Sequence, residues 1–482
     1  MITEVQNRWF YIILFSFIAL NSLLIANEFY YLSILPAAIL VSLFAFVSLD
    51  KLIFIIIFFT PLSLTVEFSS FAALNLPTEP LIFGAMLIFF FRLLYDGGFD
   101  QKILLHPVTL ALLFHLIWML ITCFTSTMPL VSFKFFLARL WFIIVFYFLA
   151  TQLFIARKNI HRFIWLFGIP LAAVVVYSVF GLFQYGFQKQ SLYWIMEPFF
   201  KDHTIYGAVL ALVFPLYFAF AFDNTYSRIK RLYGLFFFSL LLLGIILSYT
   251  RATWLSIFGA MGIYILFLFR IRWYYVGLMG VGVLLVLFSF RTEITMKLGK
   301  NKQSSSERID EHLKSVSNIK SDASNMERIN RWASALRMFQ DKPITGFGPG
   351  TYKFQYAPYQ RSTETTYVST NSGTMGNAHS EYLGPLSESG LPGMLSIVAV
   401  FILTLVSASR VYNQAEAVWV KRLSIATIIG LSTYYLHGFL NNFLDSDKAA
   451  VPFFAMTAMI VALDVYHRKN SPTQPSLSKS SN

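Results

Sequence analysis

Apolar runs long enough to cross a membrane alternate along this sequence with short polar segments. An α-helix rises 1.5 Å per residue, so roughly 20 apolar residues cross the hydrocarbon core of a bilayer. The pattern therefore predicts an all-α integral membrane protein with about fourteen (12–14) transmembrane helices. The predicted spans are 9–26, 29–48, 52–66, 78–94, 107–125, 131–154, 163–184, 204–222, 231–249, 252–269, 273–290, 391–408, 422–440 and 449–466.

The longest polar segment, residues 291–390, separates the last three predicted spans from the others. Apolar residues recur in it at three- and four-residue spacing, which is typical of amphipathic helices. One such set is Ile309, Leu313, Val316 and Ile319, and the other is Ile329, Trp332, Leu336 and Phe339. Proline disfavours helix in the preceding residue, so Pro343 is predicted to end the second helix. The predicted domains are thus a transmembrane bundle (1–290), this partly helical loop, C-terminal transmembrane helices (391–466) and a disordered tail (467–482).

Composition supports a membrane protein and excludes most soluble classes. Hydrophobic residues make up 57% of the chain and charged residues 13%, whereas a soluble domain usually has about 25% charged residues. The single cysteine, Cys123, cannot form an intrachain disulfide. The first apolar run is long and no small-residue cleavage site follows it, so we expect an uncleaved first span rather than a signal peptide.

Basic residues are concentrated in alternate loops. They include Arg92, Lys102, Arg157, Lys158, Arg162, Arg228, Lys230, Arg231, Arg270, Arg272, Arg410, Lys421, Arg422, Arg468 and Lys469. Because basic loops stay on the cytoplasmic side of a membrane, both termini are predicted to be cytoplasmic and the long loop extracytoplasmic. Topology signals of this kind account for the net charge of +13 without a nucleic-acid partner.

Several cationic side chains nevertheless lie on the predicted outer side. They are Lys134 and Arg139 in the sixth span, Lys201 and His203 before the eighth, Arg251 in the Ser248–Trp254 turn, and His379 where the loop re-enters the membrane. Each has an ordinary structural alternative, such as snorkelling, helix packing or an interfacial position. Cations that face a membrane cavity also suit a phosphate or diphosphate headgroup. We interpret these residues as candidate contacts to an anionic lipid.

Other chemical sites are not evident in the sequence. No set of His, Cys and carboxylate residues has the spacing of a metal site. The segment Thr345–Gly350 is glycine-rich but lacks the Gly-Lys-Ser/Thr ending of a phosphate-binding loop, so it is predicted to be a tight turn. Glu67, Glu79 and Asp464 lie near span ends, which leaves no clear buried carboxylate for a proton-coupled carrier. His437 is interpreted as structural.

Six short segments follow one another between about residues 200 and 400. They are Lys201-Asp202-His203; Ser248–Trp254; Glu327, Arg328, Trp332 and Ala335; Pro343–Gly348; Ala378–Leu383; and Glu388–Gly393. Their order, spacing and position relative to the spans resemble the O-antigen ligase and polymerase superfamily, which also includes bacterial protein O-oligosaccharyltransferases. The first 200 residues match that superfamily only in hydropathy.

The resemblance implies a GT-C-like membrane glycosyltransferase that uses no metal and no cofactor. Its donor is a glycan on undecaprenyl diphosphate, and an acceptor hydroxyl attacks the anomeric carbon while the lipid diphosphate leaves. By motif match, Arg251 stabilises the diphosphate, and His379 activates the acceptor hydroxyl or positions the donor. Further diphosphate contacts, chosen by location, are Arg139, Lys201, His203 and Lys134. Many relatives have asparagine after the histidine, whereas this chain has Ser380, which leaves the role of that position open.

The sequence leaves the acceptor open. A ligase transfers a finished glycan to lipid A–core, a polymerase extends a growing glycan, and a protein O-oligosaccharyltransferase modifies Ser or Thr. A polytopic solute or lipid transporter is an alternative of another class, although the repeat symmetry and polar mid-membrane residues typical of transporters are not evident. We predict a multi-pass protein of the bacterial cytoplasmic (inner) membrane whose active site faces outward, with the donor, the acceptor and the bilayer as partners.

Overall fold

The computed structural model describes residues 15–16, 19, 22–23, 48–69, 72–269, 323–362, 364–365, 369 and 376–468. Within these residues, regular structure is almost entirely helical. The predicted spans 9–26, 29–48 and 273–290 lie wholly or mostly outside the described residues, as do the first predicted loop helix and nearly all of the predicted tail.

Long helices account for most of the described chain. They are α1 (Leu49–Phe59), α2 (Thr78–Asp96), α3 (Pro107–Phe124), α4 (Pro129–Leu153), α5 (Arg157–Gln184), α6 (His203–Phe222), α7 (Arg228–Leu247), α8 (Arg251–Leu268), α9 (Ala323–Asp341), α10 (Leu383–Gln414), α11 (Val418–His437) and α12 (Asp447–His467). Short helices occupy Gln101–Leu104, Leu192–Ile195 and Tyr352–Gln355.

Nine helices of the described part, α2 to α8 with α10 and α12, are long and apolar enough to cross a membrane. They confirm nine of the predicted spans, and the fold is that of a mostly helical, multi-pass membrane protein. Helix α11 covers most of the predicted span 422–440 but is not among the nine. Helix α9 coincides with the second predicted loop helix and ends two residues before Pro343, as predicted.

The predicted span 52–66 is wrong in its second half. Helix α1 ends at Phe59, and a 3-10 turn that contains Pro61 follows it. The chain then forms two antiparallel strands, β1 (Leu64–Ser69) and β2 (Ala72–Leu76). Proline cannot donate the hydrogen bond that would continue the helix, and short apolar strands have the same hydropathy as part of a membrane helix.

Buried polar residues at the start of α12 hold this hairpin in place. The Asp447 carboxylate accepts hydrogen bonds from the hydroxyls of Ser63 and Thr78, each at 2.6 Å, on either side of the hairpin. The Lys448 ammonium donates to the Ser63 carbonyl oxygen at 2.7 Å and to that of Thr60 at 3.1 Å. These partners are far apart in the sequence, so local hydropathy contains no signal for them.

Helices α6 and α12 are mostly buried and form the centre of the bundle, whereas α7 and α8 are mostly exposed at its outside. One end of the bundle, which we call the basic end, is closed by ion pairs around Asp464. Its carboxylate lies 3.2 Å from His106 Nε2, 3.1 Å from Arg410 and 2.9 Å from Arg468. The opposite end, which we call the loop end, comprises the described residues within 60–78, 124–134, 184–203, 248–251, 323–389 and 437–448.

Helix α10 is kinked at Gly390, where φ is 69°. The predicted tight turn Thr345–Gly350 is confirmed, and the loop around it closes on this kink: the Leu391 N–H donates to the Pro343 carbonyl at 2.9 Å. A Cβ atom at Gly390 would lie 2.0 Å from the Ile344 carbonyl oxygen. The kink therefore requires glycine both for its backbone conformation and for the close approach of the loop.

We expect Gly390→Ala to lower the free energy of unfolding by roughly 2 kcal/mol or more, because alanine is strained at positive φ and its methyl group displaces the loop. Thermal unfolding of the purified protein measures the effect. The matched control is Gly262→Ala in α8, where an added Cβ meets nothing within 4 Å and alanine favours the helix by about 1 kcal/mol. Equal melting temperatures for the two variants would contradict the proposed requirement.

Candidate functional site

The segments that contain the predicted site residues all lie at the loop end of the bundle. The Thr250 hydroxyl, next to Arg251, donates to the His203 carbonyl oxygen at 3.1 Å. The Phe200 ring, just before Lys201, lies 5.6 Å from the Lys448 ammonium at the start of α12. The chain before α12 is in turn bonded to the segment that contains His379, as described below. The structure thus brings the Arg251 turn and the His379 segment to the same end.

Three non-glycine residues of the described chain have positive φ, and all three lie at the loop end. They are Phe187 at 58°, Tyr249 at 51° and His379 at 48°. The Tyr249 hydroxyl donates to the Phe187 carbonyl at 2.6 Å, which joins two of them. Such backbone conformations cost of order 1–3 kcal/mol and concentrate at functional sites. Two of these residues fall within the motif segments that contain Arg251 and His379.

His379 is held by its backbone and by its ring. Its N–H donates to Asn377 Oδ1 at 3.1 Å, and its carbonyl oxygen accepts from Trp332 Nε1 at 3.4 Å. Its ring atom Nε2 lies 3.4 Å from Arg331 NH1. Arg331 is fixed by Glu327, whose carboxylate is 2.7 Å from Arg331 Nε. The loop helix α9 therefore supplies the surroundings of the imidazole.

These surroundings keep the His379 ring neutral. Burial, followed by the positive charges of Arg331 and Arg328, lowers the pKa of His379 to about 3, while a hydrogen bond with the Asn441 side chain acts in the opposite direction. A neutral imidazole retains one nitrogen lone pair that can accept a proton or a hydrogen bond. The ring is thus uncharged at neutral pH and can accept a hydrogen bond.

Glu381 joins the His379 segment to the chain between α11 and α12. Its carboxylate accepts hydrogen bonds from the Tyr434 hydroxyl at 2.7 Å and from the N–H groups of Phe443 at 2.8 Å and Leu444 at 3.0 Å. The Glu381 N–H donates to the Gly438 carbonyl at 2.8 Å. Sequence reasoning assigned no role to this residue, although it is an acid in a motif beside a span, where carboxylates are few.

Arg139 lies beneath the same chain segment. Its guanidinium donates to the Leu444 carbonyl at 3.2 Å and pairs with the Asp445 carboxylate at 3.0 Å. The Arg139 side chain is 8% exposed and that of Asp445 is 51% exposed. The predicted diphosphate contact thus already has an anionic partner in the folded chain, and that partner faces outward.

Ser380, the departure from the family pattern, caps the beginning of α10. Its hydroxyl oxygen accepts from the N–H groups of Tyr382 at 3.2 Å and Leu383 at 3.3 Å. Serine and asparagine are equivalent in such a position, because both present a short side-chain acceptor to unpaired N–H groups. Because serine can also cap the helix, the capping role explains why serine is tolerated at position 380.

Two other motif segments hold the loop over α10 rather than presenting reactive groups. The N–H groups of Phe347 and Gly348 donate to the carbonyls of Ser387 at 3.1 Å and Glu388 at 2.8 Å. The Glu388 side chain accepts from the Tyr352 N–H at 3.0 Å. The glycine-rich turn and the Glu388–Gly393 segment therefore contact each other, and this contact holds the loop against α10.

The remaining predicted contacts occupy the surface of the loop end. Lys134, near the start of α4, and Lys201 are exposed, whereas His203 and Arg251 are half-buried at the first positions of α6 and α8. Asp202 caps α6, since its carboxylate accepts from the N–H groups of Thr204 at 2.7 Å and Ile205 at 3.0 Å. Asp202 therefore has a structural role in the Lys201-Asp202-His203 segment.

Known families support the resemblance. Residues 236–398 match the family model described as O-Antigen ligase, and this range includes the Arg251 turn, α9, the glycine-rich turn, His379 and the kink of α10. None of the curated proteins compared with the chain matches it. The match extends over the segments whose order carries the resemblance. Over these residues the chain is similar to the O-antigen ligase family, and the match supports the O-antigen ligase and polymerase superfamily that the motif segments indicate.

Proposed function

We propose that this protein transfers a glycan from undecaprenyl diphosphate to an acceptor hydroxyl at the outer face of the bacterial cytoplasmic membrane, as an O-antigen ligase or a surface-polysaccharide polymerase. The observation that carries the proposal is the neutral, backbone-strained His379 at the same end of the bundle as the Arg251 turn. A neutral base beside cationic side chains suits attack on a sugar whose leaving group is a diphosphate.

In the proposed reaction, the acceptor oxygen bonds to the anomeric carbon as the bond from that carbon to the diphosphate oxygen breaks. The electron pair of the broken bond leaves with the lipid diphosphate, and the hydroxyl proton is released. His379 accepts that proton or positions the donor, and Arg251 stabilises the charge that develops on the diphosphate. Arg251 is the first residue of α8, so the positive end of the helix dipole adds to its charge.

Arg139, Lys134, Lys201 and His203 are proposed as further contacts to the diphosphate. For Arg139, the Asp445 carboxylate accepts the kind of hydrogen bond that a phosphate oxygen would accept. Because Asp445 is half-exposed, its side chain can turn outward when a more highly charged anion binds. Lys134 and Lys201, as exposed ammonium groups, are suited to attract the donor rather than to orient it.

Orientation follows from the two ends of the bundle. Arg157, Arg410, Arg422 and Arg468 lie at the basic end, opposite the loop end. By the positive-inside rule we propose that the basic end and both termini are cytoplasmic and that the loop end is extracytoplasmic. The donor then reaches the site from the outer leaflet.

The decisive experiment incubates the purified protein with an undecaprenyl-diphosphate oligosaccharide and each acceptor in turn. A ladder of products indicates a polymerase, a single shifted lipid band a ligase, and a modified peptide a protein O-oligosaccharyltransferase. Because the proposed reaction uses no metal, transfer is expected to persist in excess chelator. No release of lipid diphosphate with any acceptor, together with solute uptake by vesicles that contain the protein, would overturn the proposal in favour of a transporter.

A further inference from the structure

A cavity opens at the basic end of the bundle, opposite the candidate functional site. It lies between the start of α5, the turn from α6 to α7 and the start of α11, and its volume is about 260 Å³ including its open mouth. Its polar lining residues are His161, Asp223, Tyr226, Trp419 and Arg422. The Tyr226 hydroxyl lies 3.0 Å from His161 Nε2, which joins the turn to α5. We call this opening the basic-end cavity, and the proposed glycan transfer uses none of these residues.

An ion pair forms part of the wall of the basic-end cavity. Arg422 NH1 donates to the Asp223 carboxylate, which also accepts from the Thr225 N–H at 2.9 Å. The Asp223 side chain is 4% exposed, whereas that of Arg422 is 40% exposed. A guanidinium has five N–H groups, and the contact with Asp223 engages those of NH1. The exposed part of the Arg422 guanidinium can therefore donate to a second anion at the mouth of the cavity.

Two further arginines are fixed beside the same cavity. The Arg157 guanidinium stacks over the Trp419 ring, 4.3 Å from its centroid, and Trp419 is part of the lining. Arg231 Nε donates to the Ala221 carbonyl at 3.1 Å, at the end of α6. Arginine side chains held in this way lose little freedom on binding an anion, and their planar groups suit phosphate oxygens.

Positive charge greatly exceeds negative charge around the basic-end cavity. The first seven residues of α5, α7 and α11 contain eight basic residues and no acidic one. They are Arg157, Lys158, Arg162, Arg228, Lys230, Arg231, Lys421 and Arg422. Membrane topology requires basic residues at this end, but it does not require that arginines meet around an opening between helices. Basic pockets between membrane helices are typical sites for anionic lipid headgroups.

Apolar side chains beside the cavity favour a lipid over a free anion. Phe222, Ile229 and Val418 lie next to the lining residues in the chain and are 55%, 65% and 51% exposed. They stand at the ends of membrane-spanning or apolar helices, where the acyl chains of a lipid can cover them. A phosphate ion from water would leave all three uncovered, whereas a phospholipid supplies a phosphate and acyl chains in one molecule.

We propose that the basic-end cavity binds the phosphate of an anionic phospholipid from the membrane leaflet that meets the basic end, with Arg422 and Arg157 as its main donors. The bound lipid joins α5, the α6–α7 turn and α11. Because only the folded protein has the cavity, the lipid also stabilises the bundle. This site is separate from the proposed glycan transfer, so either can be wrong without the other.

The first test measures lipid affinity and does not require activity. The full chain in an uncharged detergent is titrated with phosphatidylglycerol or with zwitterionic phosphatidylethanolamine of the same acyl chains, and native mass spectrometry counts the bound lipids. The wild type is expected to bind phosphatidylglycerol more tightly. Arg422→Gln should weaken that binding by about fivefold, the contribution of one basic residue near an anionic membrane. Equal affinity of the wild type for the two lipids would overturn the proposal.

Arg410→Gln is the matched control for Arg422→Gln. Arg410 is also at the basic end and pairs with a buried aspartate, and the two side chains are 38% and 3% exposed. This variant should keep the wild-type preference for phosphatidylglycerol.

A second variant excludes an effect on folding alone. Arg422→Gln leaves Asp223 as a buried charge without its arginine, which is destabilising. Asp223→Asn combined with Arg422→Gln removes both charges and should show the same loss of affinity. Arg157→Gln, which removes a stacked guanidinium, should weaken binding by a similar factor. Wild-type affinity in both of these variants would show that the cavity is not the lipid site.

The second test locates the lipid and identifies its source. The full chain is placed in phosphatidylethanolamine vesicles that contain phosphatidylglycerol with a photoactivatable headgroup, and the labelled peptides are sequenced. Labelling is expected at the start of α5, in the α6–α7 turn and at the start of α11, and unlabelled phosphatidylglycerol should reduce it. Inorganic phosphate at the same concentration should leave it unchanged. Labelling confined to other segments, or equal competition by inorganic phosphate, would overturn the proposed lipid site.

Discussion

Replacement of His379 by alanine is expected to reduce glycan transfer by about 10²- to 10⁴-fold, the usual contribution of a positioned acid–base group. The protein should still insert into the membrane, because the ring contacts Arg331 at a long 3.4 Å, whereas the segment is fixed mainly through Glu381. The measurement is product formation from an undecaprenyl-diphosphate oligosaccharide at a fixed amount of inserted protein.

A second variant separates loss of the ring from backbone strain. Alanine at φ 48° is less well tolerated than histidine, whereas glycine adopts this conformation without strain. His379→Gly should therefore be as inactive as His379→Ala but more stable. The matched control is His467→Ala at the basic end, which removes an imidazole whose Nε2 lies 3.0 Å from the Phe154 carbonyl. Substantial transfer by His379→Gly would exclude the ring from catalysis.

Replacement of Arg251 by alanine is expected to lower kcat/KM for the donor by about 10²- to 10³-fold, the effect of removing one group that stabilises a developing negative charge. The turn before it is fixed by the Tyr249 and Thr250 hydroxyls, at 2.6 Å and 3.1 Å from their acceptors, so the side chain can be removed without releasing the turn. The KM for the acceptor should be unchanged, because the proposed contact is to the diphosphate alone.

Arg228→Ala is the matched control for Arg251. Arg228 is likewise the first residue of a long helix, α7, but that helix begins at the basic end. Arg251→Lys retains the charge but not the forked geometry of the guanidinium, so it is expected to recover only part of the lost activity. Equal losses in Arg251→Ala and Arg228→Ala would indicate an effect on membrane insertion and would remove Arg251 from the site.

Much of the fold could be predicted from the sequence because hydropathy and helical periodicity are local properties. Nine predicted spans, the helix Ala323–Asp341 and the turn Thr345–Gly350 agree with the structure. Each depends on residues within about 20 positions of one another, the length that a bilayer sets for a helix. The order of the motif segments likewise indicated the O-antigen ligase and polymerase superfamily, and the family-model match over 236–398 supports that prediction.

The tertiary structure decided everything that depends on residues far apart in the chain. The apolar run 52–66 ends as a hairpin because Asp447, distant in sequence, binds residues on both sides of it. Arg139 is paired with Asp445, 306 positions away, and neither residue's neighbours indicate the other. The roles of Arg251 and His379 remain predictions; their placement at one end of the bundle is structural.

The surroundings of His379 show the physical reason for this division. The sequence by itself identified a histidine in a motif and a predicted outer location, since both are properties of adjacent residues. Whether that ring is charged depends on burial and on Arg328 and Arg331, and its ring nitrogen contacts the Arg331 guanidinium. Burial and electrostatic interactions act through space over a few ångströms, so only the packing of α9 against α10 and the end of α11 determines them.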